Sequence, residues 1–264
     1  MDKLDEIMKW KRDELSGRIR HVKERELSNL ASVRLRGPSF RESLSDLERL
    51  SVVAEIKRKS PSAGIIAAEV ESAEKARNYY NAEADAISVL TDSQFFSGSL
   101  KDLWEVNDFL QSRDDARPTL RKDFFIHPIQ IVESAEAGSS AVLLIVRALS
   151  DREIQELYEA ASLASLDCLF EVHNEQDLER AIRFNARIIG VNNRDLTRFE
   201  TDLSVSERLI PQIPENIVSI SESGILSLED AERVRNAGAD AVLIGEALMK
   251  LDEPEIFIHE LHQL

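Results

Sequence analysis

The chain has 264 residues, 43% hydrophobic and 31% charged, the profile of a soluble globular protein, and as one domain of 29.8 kDa it would bury about three quarters of the surface its unfolded form exposes. A formal net charge of -16 excludes generic binding to nucleic acid or to anionic membranes, and opposes an anionic metabolite as well unless cations are placed locally. Cys168 is the only cysteine, so an intramolecular disulfide, a Cys-rich zinc site and a CxxC redox pair are excluded; with no secretory h-region and no apolar run of spanning length, a cytoplasmic protein is expected.

In chain order, residues 1–50 come first and differ in charge from the rest. Through Arg36, ten Lys and Arg stand against seven Asp and Glu. Apolar residues at helical spacing predict helices over LDEIMKWKRDELSGRI and RELSNLASVRL; Gly37-Pro38 breaks the pattern and SFRESLSDL resumes it as a short helix. This segment is expected to be a helical extension that docks on the acidic remainder.

From Ser51 to Leu264 short runs rich in Val, Ile and Leu alternate with amphipathic segments of helix length. The runs are SVVAEIKR, DAISVLTD, PTLRKDF, SAVLLIVR, LDCLFEVH, RIIGVNNR, NIVSISES and DAVLIGEAL. The segments between them are ESAEKARNYYNAEA, LKDLWEVNDFLQS, HPIQIVESAEAG, DREIQELYEAASLAS, NEQDLERAIRFNA, DLSVSERLIPQI and SLEDAERVRNAG, with EPEIFIHELHQL closing the chain. Eight such units predict an α/β protein with a (β/α)8 TIM barrel over residues 51–264 and the N-terminal helical extension over 1–50. A doubly wound open sheet is the runner-up, but no GxGxxG turn follows the first strand. Gly138 and Gly238 fall where a helix gives way to a strand, as left-handed C-caps require. Gly64, Gly98, Gly190, Gly224 and Gly245 fall within or after strands, where a ligand would approach the backbone.

Barrel strands are covered on both faces, so charged residues inside them need a reason. Glu55 and Lys57 are two apart and point the same way. Lys122, Glu171, Asn192, Arg194 and Glu222 lie towards the C-terminal ends of four other strands, the end at which barrel enzymes build their sites. Each alone reads as a rim salt bridge. Together they bring Lys57, Lys122 and Arg194 to one mouth with Glu55, Glu171 and Glu222, an arrangement suited to proton transfer. SESG and LIGEAL after the last two strands suggest a phosphate held by backbone N–H groups, with Ser60 adding a hydroxyl from the first loop. Phosphosugars are the expected substrate class. Phe96, in a loop after the second strand, is a candidate aromatic wall. Of the five histidines, none has a metal-ligand spacing that could be placed at the mouth apart from His173, just after the fifth strand, and surface or helix positions are the general reading; Cys168 reads as a buried thiol, and Trp10, Tyr79, Tyr80 and Trp104 as helix packing.

AEIKRKSPSAG, LTDSQFFSGS, LRKDFFI, AVLLIVRAL, GVNNRDLTRF, SISESGI and LIGEALM, in this order, resemble the motif set of the indole-3-glycerol phosphate synthases along the whole chain. The resemblance implies ring closure, decarboxylation and dehydration of 1-(2-carboxyphenylamino)-1-deoxyribulose 5-phosphate in tryptophan biosynthesis, with no metal and no organic cofactor. It implies Lys122 as the general acid on the ketone oxygen, Lys57 as a carboxylate ligand and second acid, and Glu171 as base. Glu55 and Asn192 would orient these groups, and Glu222 would complete the network. Arg194 would sit near the aromatic carboxylate, Ser60, Ser223, Gly224 and Gly245 would hold the phosphate, and Phe96, Leu143, Leu196 and Leu243 would pack the ring. Glu246, directly after Gly245, would face the phosphate with its backbone N–H alone. A lysine suits the acid role on the expectation that burial and a neighbouring cation lower its pKa. A monomer acting on a small phosphorylated molecule is expected, with no nucleic acid and no membrane partner. Alternatives are another phosphosugar barrel such as phosphoribosylanthranilate isomerase, which leaves the Glu55/Lys57 pair unexplained, and a silent phosphate-binding barrel, which has no need of Lys57, Lys122 and Glu171 together.

Overall fold

A computed structural model describes residues 3–33, 39–46, 48–195, 200–251 and 253–264. Eight parallel strands close into a ring: β1 (Ser51–Ile56), β2 (Ala86–Leu90), β3 (Thr119–Lys122), β4 (Ala141–Ile145), β5 (Asp167–Val172), β6 (Ile188–Asn192), β7 (Val218–Glu222) and β8 (Ala241–Ile244), each beside its successor and β8 beside β1. These are the eight apolar runs of the sequence. Nearly every strand residue is buried because the barrel interior covers one face and the helices the other. A short hairpin pairs Lys59–Ser60 with Gly64–Ile65 directly after β1.

The main helices outside the ring are α4 (Ser72–Asn81), α6 (Leu100–Gln111), α7 (Pro128–Glu136), α8 (Asp151–Leu163), α9 (Glu175–Arg183), α10 (Ser204–Leu209), α11 (Leu228–Asn236) and α13 (Pro254–Leu261), with the short α5 (Ser93–Phe96) after β2 and α12 (Glu246–Lys250) after β8. Their starts are written locally. Ser99, Ser150, Asn174 and Ser227 each accept a hydrogen bond from a backbone N–H in the first turn, and His127 does so ahead of Pro128. Their ends share one device: the residue after the C-cap is left-handed at Glu83, Gly138, Ser165, Asn185 and Gly238, with φ between 55° and 99°. Only two of the five are glycine, so the turn recurs where composition alone does not announce it.

The N-terminal extension covers both ends of the barrel. α3 (Phe40–Ser43) sits at the start of β5, where Ser39 Oγ and the Arg41 backbone N–H both donate to Asp167 Oδ2 at 3.1 Å, and Phe40, Leu44 and Leu50 are fully buried. α2 (Glu24–Val33) packs on α7 and α8. α1 (Lys3–Leu15) lies at the opposite end, burying Leu4, Ile7, Met8, Lys11 and Leu15, one helical stripe. Lys11 Nζ reaches Asp92 Oδ2 at 3.0 Å and Asp123 Oδ1 at 2.9 Å, the residues that follow β2 and β3.

The packing expected of the aromatics holds for two of the four. Tyr79 is fully buried and donates to the Glu55 carbonyl at 3.3 Å, and Tyr80 meets Phe109 edge to face. Trp10 and Trp104 are instead 41% and 43% exposed, since both fall off the buried stripes of α1 and α6. Cys168 is buried. Gly37 and Pro38 lie outside the described residues, and among the described residues no helix is long and apolar enough to cross a membrane.

Candidate active site at the barrel mouth

The C-terminal ends of the strands open into a cavity of about 280 Å³. Glu55, Lys122, Glu171, Asn192 and Glu222 are each the last or next-to-last residue of their strand. At that height the apolar layers of the barrel stop and a side chain can be charged without filling the core. All five line the cavity, with Lys57, Phe96, Leu143, Arg194, Ser223, Gly224, Leu243, Gly245 and Glu246. Leu196 lies outside the described residues. Ser60 is the exception: it is buried in the hairpin, where its Oγ accepts from Ala63 N at 3.0 Å and lies 3.2 Å from Ser62 Oγ, so its hydroxyl is spent on the loop itself.

Lys122 is the hub. Its ammonium contacts Glu222 Oε2 and stands 3.3 Å from Glu171 Oε2. Beside it Lys57 Nζ donates to Glu55 Oε1 at 2.6 Å. Asn192 accepts the Arg194 N–H on Oδ1 at 3.0 Å, which turns its amide N–H2 away from that loop, and it hydrogen-bonds Glu171. Arg194 reaches over the mouth to Ser62 Oγ at 2.7 Å. Glu246 is held aside by Lys250, 2.7 Å from its Oε1, with an Arg194 nitrogen 3.9 Å from Oε2.

Burial penalises every charge here, and the neighbours decide the outcome. It pulls the Lys122 ammonium down, but the Glu222, Glu171 and Glu55 carboxylates outweigh it and hold the pKa above the ordinary lysine value. The expected lowering of this lysine is therefore reversed: its immediate neighbours are anions. Burial would raise Glu55 and Glu171 also, yet Lys57 and Lys122 for the first, and Lys122 with the Asn192 hydrogen bond for the second, keep both below the ordinary carboxylate range. Glu222 goes the other way. Burial, with the Glu171 and Glu55 charges beside it, overrides Lys122 and pushes it up to about 7. One cup thus holds an ammonium, two ionised carboxylates and a carboxyl poised between its two states, so acid and base coexist at neutral pH.

The glycines serve this network more than a ligand. A Cβ on Gly190 of β6 would stand 1.9 Å from Glu222 Oε1, and one on Gly245 would stand 2.4 Å from Glu55 Oε1 and 2.9 Å from Lys57 Nζ. Both leave room for a charged side chain of the next strand. A Cβ on Gly98 would meet the Leu90 carbonyl oxygen at 2.0 Å, a backbone contact, while Gly64 faces open space. Gly224, with φ +86°, and Ser223, with φ 64°, form a left-handed turn after β7.

Several wall residues escaped the sequence reading. Phe124 stacks at a tilt on Phe96, centroids 6.0 Å apart, and Leu4 and Ile7 of α1 close one side. The apolar periodicity of α1 signalled a buried stripe without saying what it would cover. His173, the one histidine that its sequence position puts near the mouth, is neither on the surface nor in a helix but buried behind Glu171, its Nε2 3.5 Å from Glu171 Oε1; two residues beyond Glu171, it has the phase to be a neighbour. Among the described residues no group of three or more His, Cys, Asp or Glu side chains is arranged to hold a metal ion.

Comparison with known proteins agrees with this geometry. The family model described as indole-3-glycerol phosphate synthase matches residues 4–261. The chain is 54% identical over 260 residues to the indole-3-glycerol phosphate synthase of Opitutus terrae, covering 98% of each, and 42% identical over 253 residues to that of Caldanaerobacter subterraneus, covering 96% of this chain and 95% of the other. Among solved structures, thiamine phosphate pyrophosphorylase from Pyrococcus furiosus superimposes with a TM-score of 0.58 at 15% identity, over 84% of this chain and 96% of the other, which shows the shared barrel alone. The chain belongs to the indole-3-glycerol phosphate synthase family.

Proposed function

We propose that the chain is a carboxy-lyase of tryptophan biosynthesis that converts 1-(2-carboxyphenylamino)-1-deoxyribulose 5-phosphate to indole-3-glycerol phosphate, with Lys122 as the acid that starts the reaction. The observation that carries the assignment of roles is the position of Lys122, charged and desolvated at the centre of the cavity, with Glu171 and Glu222 on it. In ring closure the aromatic carbon bearing the carboxylate bonds to the ketone carbon, and negative charge builds on the ketone oxygen. An ammonium that stabilises that oxygen and then gives it a proton lowers the barrier twice over. Loss of carbon dioxide returns its electron pair to the ring. The new hydroxyl then leaves as water, with Lys57 as acid and Glu171 taking the proton released.

The remaining roles follow from position. Phe96, Leu143 and Leu243 offer apolar surface to the anthranilate ring, and Lys57 and Arg194 offer cations to its carboxylate. The turn at Ser223 and Gly224 and the backbone at Gly245 line the cavity after the last two strands and suit the phosphate; with Lys250 on its carboxylate, Glu246 adds an N–H there and keeps its charge aside. Glu55 and Asn192 hold Lys57 and Glu171 in place. We further take the chain to act as a cytoplasmic monomer without a nucleic-acid partner, in keeping with its acidic surface. Mixing the purified protein with the anilino-deoxyribulose phosphate should produce indole fluorescence together with one carbon dioxide per turnover. Failure to see either at high enzyme concentration would sink the assignment. An isomerase of phosphoribosylanthranilate, the same-fold alternative, would yield no carbon dioxide and is not favoured by the family match.

A further inference from the structure

We propose that His173 is a positioning residue for Glu171: its imidazole is seated behind the carboxylate so that Oε1 is engaged by the ring and Oε2 is left to Lys122 and the reacting atoms. The inference rests on Glu171 as the base of the reaction. His173 follows β5 directly, and its side chain is 6% exposed. Nε2 stands 3.5 Å from Glu171 Oε1, while Lys122 stands 3.3 Å from Oε2, so the two oxygens of one carboxylate have different neighbours. On the far side of the ring Nδ1 is 3.9 Å from Asp177 Oδ2, and the His173 backbone N–H donates to that same oxygen at 3.1 Å, fixing where the ring begins.

Neither ring nitrogen makes a hydrogen bond among the described residues. Burying two polar nitrogens unpaired is unfavourable, and an apolar side chain of similar shape would fill the space at lower cost. Packing alone therefore does not account for a histidine here. The groups facing the ring are Glu171 on its own strand, Lys122 from β3, Arg147 after β4 and Asp177 from α9. Burial holds the imidazole pKa below its ordinary value despite the two carboxylates, so the ring is neutral at pH 7. A neutral ring with its proton on Nε2 donates to Glu171 without adding a charge. A contact of 3.5 Å closes readily to a hydrogen bond, as such contacts do when a site engages substrate. It would hold Glu171 in one rotamer and favour its ionised form.

The test measures kcat, KM and the pH profile of kcat with the anilino-deoxyribulose phosphate for His173→Leu, His173→Phe and His173→Asn, with melting curves alongside; two apolar variants guard against a folding failure of one. The expected result is an apolar variant that melts no lower than the parent, loses about tenfold in kcat, a fraction of what a whole acid-base group contributes, and keeps its KM. Its acidic limb should move to higher pH, because the Glu171 carboxylate loses a donor. His173→Asn, which restores an N–H donor, should recover most of the rate. In a Glu171→Gln background the replacement at His173 should have no further effect on the residual rate. A folded apolar variant with parental kcat and an unmoved acidic limb would overturn the proposal while leaving Glu171 as base. A Glu171→Gln enzyme that turns over at the parental rate would overturn the reading of Glu171 itself, and the role of His173 with it.

Discussion

Two lysines of low exposure in this molecule, Lys11 in the buried core and Lys122 at the cavity wall, sit among carboxylates, and they do different things. Lys11 of α1 is shared by Glu14, Asp92 and Asp123 at 2.8 to 3.0 Å. Those aspartates have other donors too: Asp92 accepts from Phe95 N at 2.7 Å, and Asp123 from Phe124 N, Thr91 Oγ1 and Arg121. Burial would raise Asp123, but Arg121 and Lys11 hold it down to about 2. Each carboxylate in that cluster is ion-paired with Lys11 within 3.0 Å, Asp92 Oδ2 through that ion pair alone among the described residues. Lys122, the residue before Asp123, faces Glu222 and Glu171 in a cavity, and Glu222 Oε1 has no hydrogen-bond partner among the described residues. The satisfied cluster fastens α1 over β2 and β3 and fixes the backbone that carries Lys122. The unsatisfied one is left with a surplus of acid that a substrate and its protons can change. What separates a structural ion cluster from a candidate site is the unanswered group and the open space beside it, more than the number of charges.

Replacing the two lysines should separate these roles. Lys122→Met should cost 10²- to 10⁴-fold in kcat, the usual contribution of a general acid, with affinity for a product analogue changed much less; retention of activity within about tenfold would require another acid. Lys11→Met should act chiefly on stability. Removing one partner of a buried ion cluster strands the others, and a loss of about 3 to 5 kcal/mol in urea unfolding is expected, with any rise in KM following from a looser α1. If unfolding were unchanged and kcat fell instead, the two clusters would not divide as described.

A smaller effect should come from Glu222. Its pKa lies near 7 in the folded protein against an ordinary 4.5, so the folded state holds this proton more tightly than the unfolded chain does. Its contribution to stability is thus present in full below about pH 4.5 and is lost as pH rises through about 7. Glu222→Gln cannot ionise and should remove this component of the pH dependence, gaining on the order of 1 to 3 kcal/mol relative to the parent between pH 5 and 8. Parallel stability curves for the two proteins would show that Glu222 titrates normally.

Much of the architecture was legible in the chain. The apolar runs, whose strands start 21 to 35 residues apart, became the strands because a barrel strand is covered on both faces and tolerates few polar residues. The same fact made Glu55, Lys122, Glu171, Asn192 and Glu222 conspicuous, since a charge at the end of such a run has to be accommodated at the rim. Ser60 looked equally suitable by composition, but the hairpin that follows β1 consumes its hydroxyl, and hairpin pairing leaves little trace in so short a segment. Trp10 resembled a packing residue until the stripe at Leu4, Ile7, Met8, Lys11 and Leu15 showed which way α1 faces.

The sequence by itself determined the order of elements, the end of the barrel that carries charge and the residue types collected there, because these depend on local periodicity and on the distance of each residue from its own strand end. Only the tertiary structure decided who meets whom. Lys122 and Glu222 are 100 positions apart and come together because the ring closes, with Asn192 opposite Glu222 in the β6–β7 register and Gly190 leaving the space that Glu222 fills. That closure also set the protonation of the site. Whether a buried lysine is pushed up or down depends on the sign of its nearest neighbours across the barrel, and strand spacing along the chain carries no record of it.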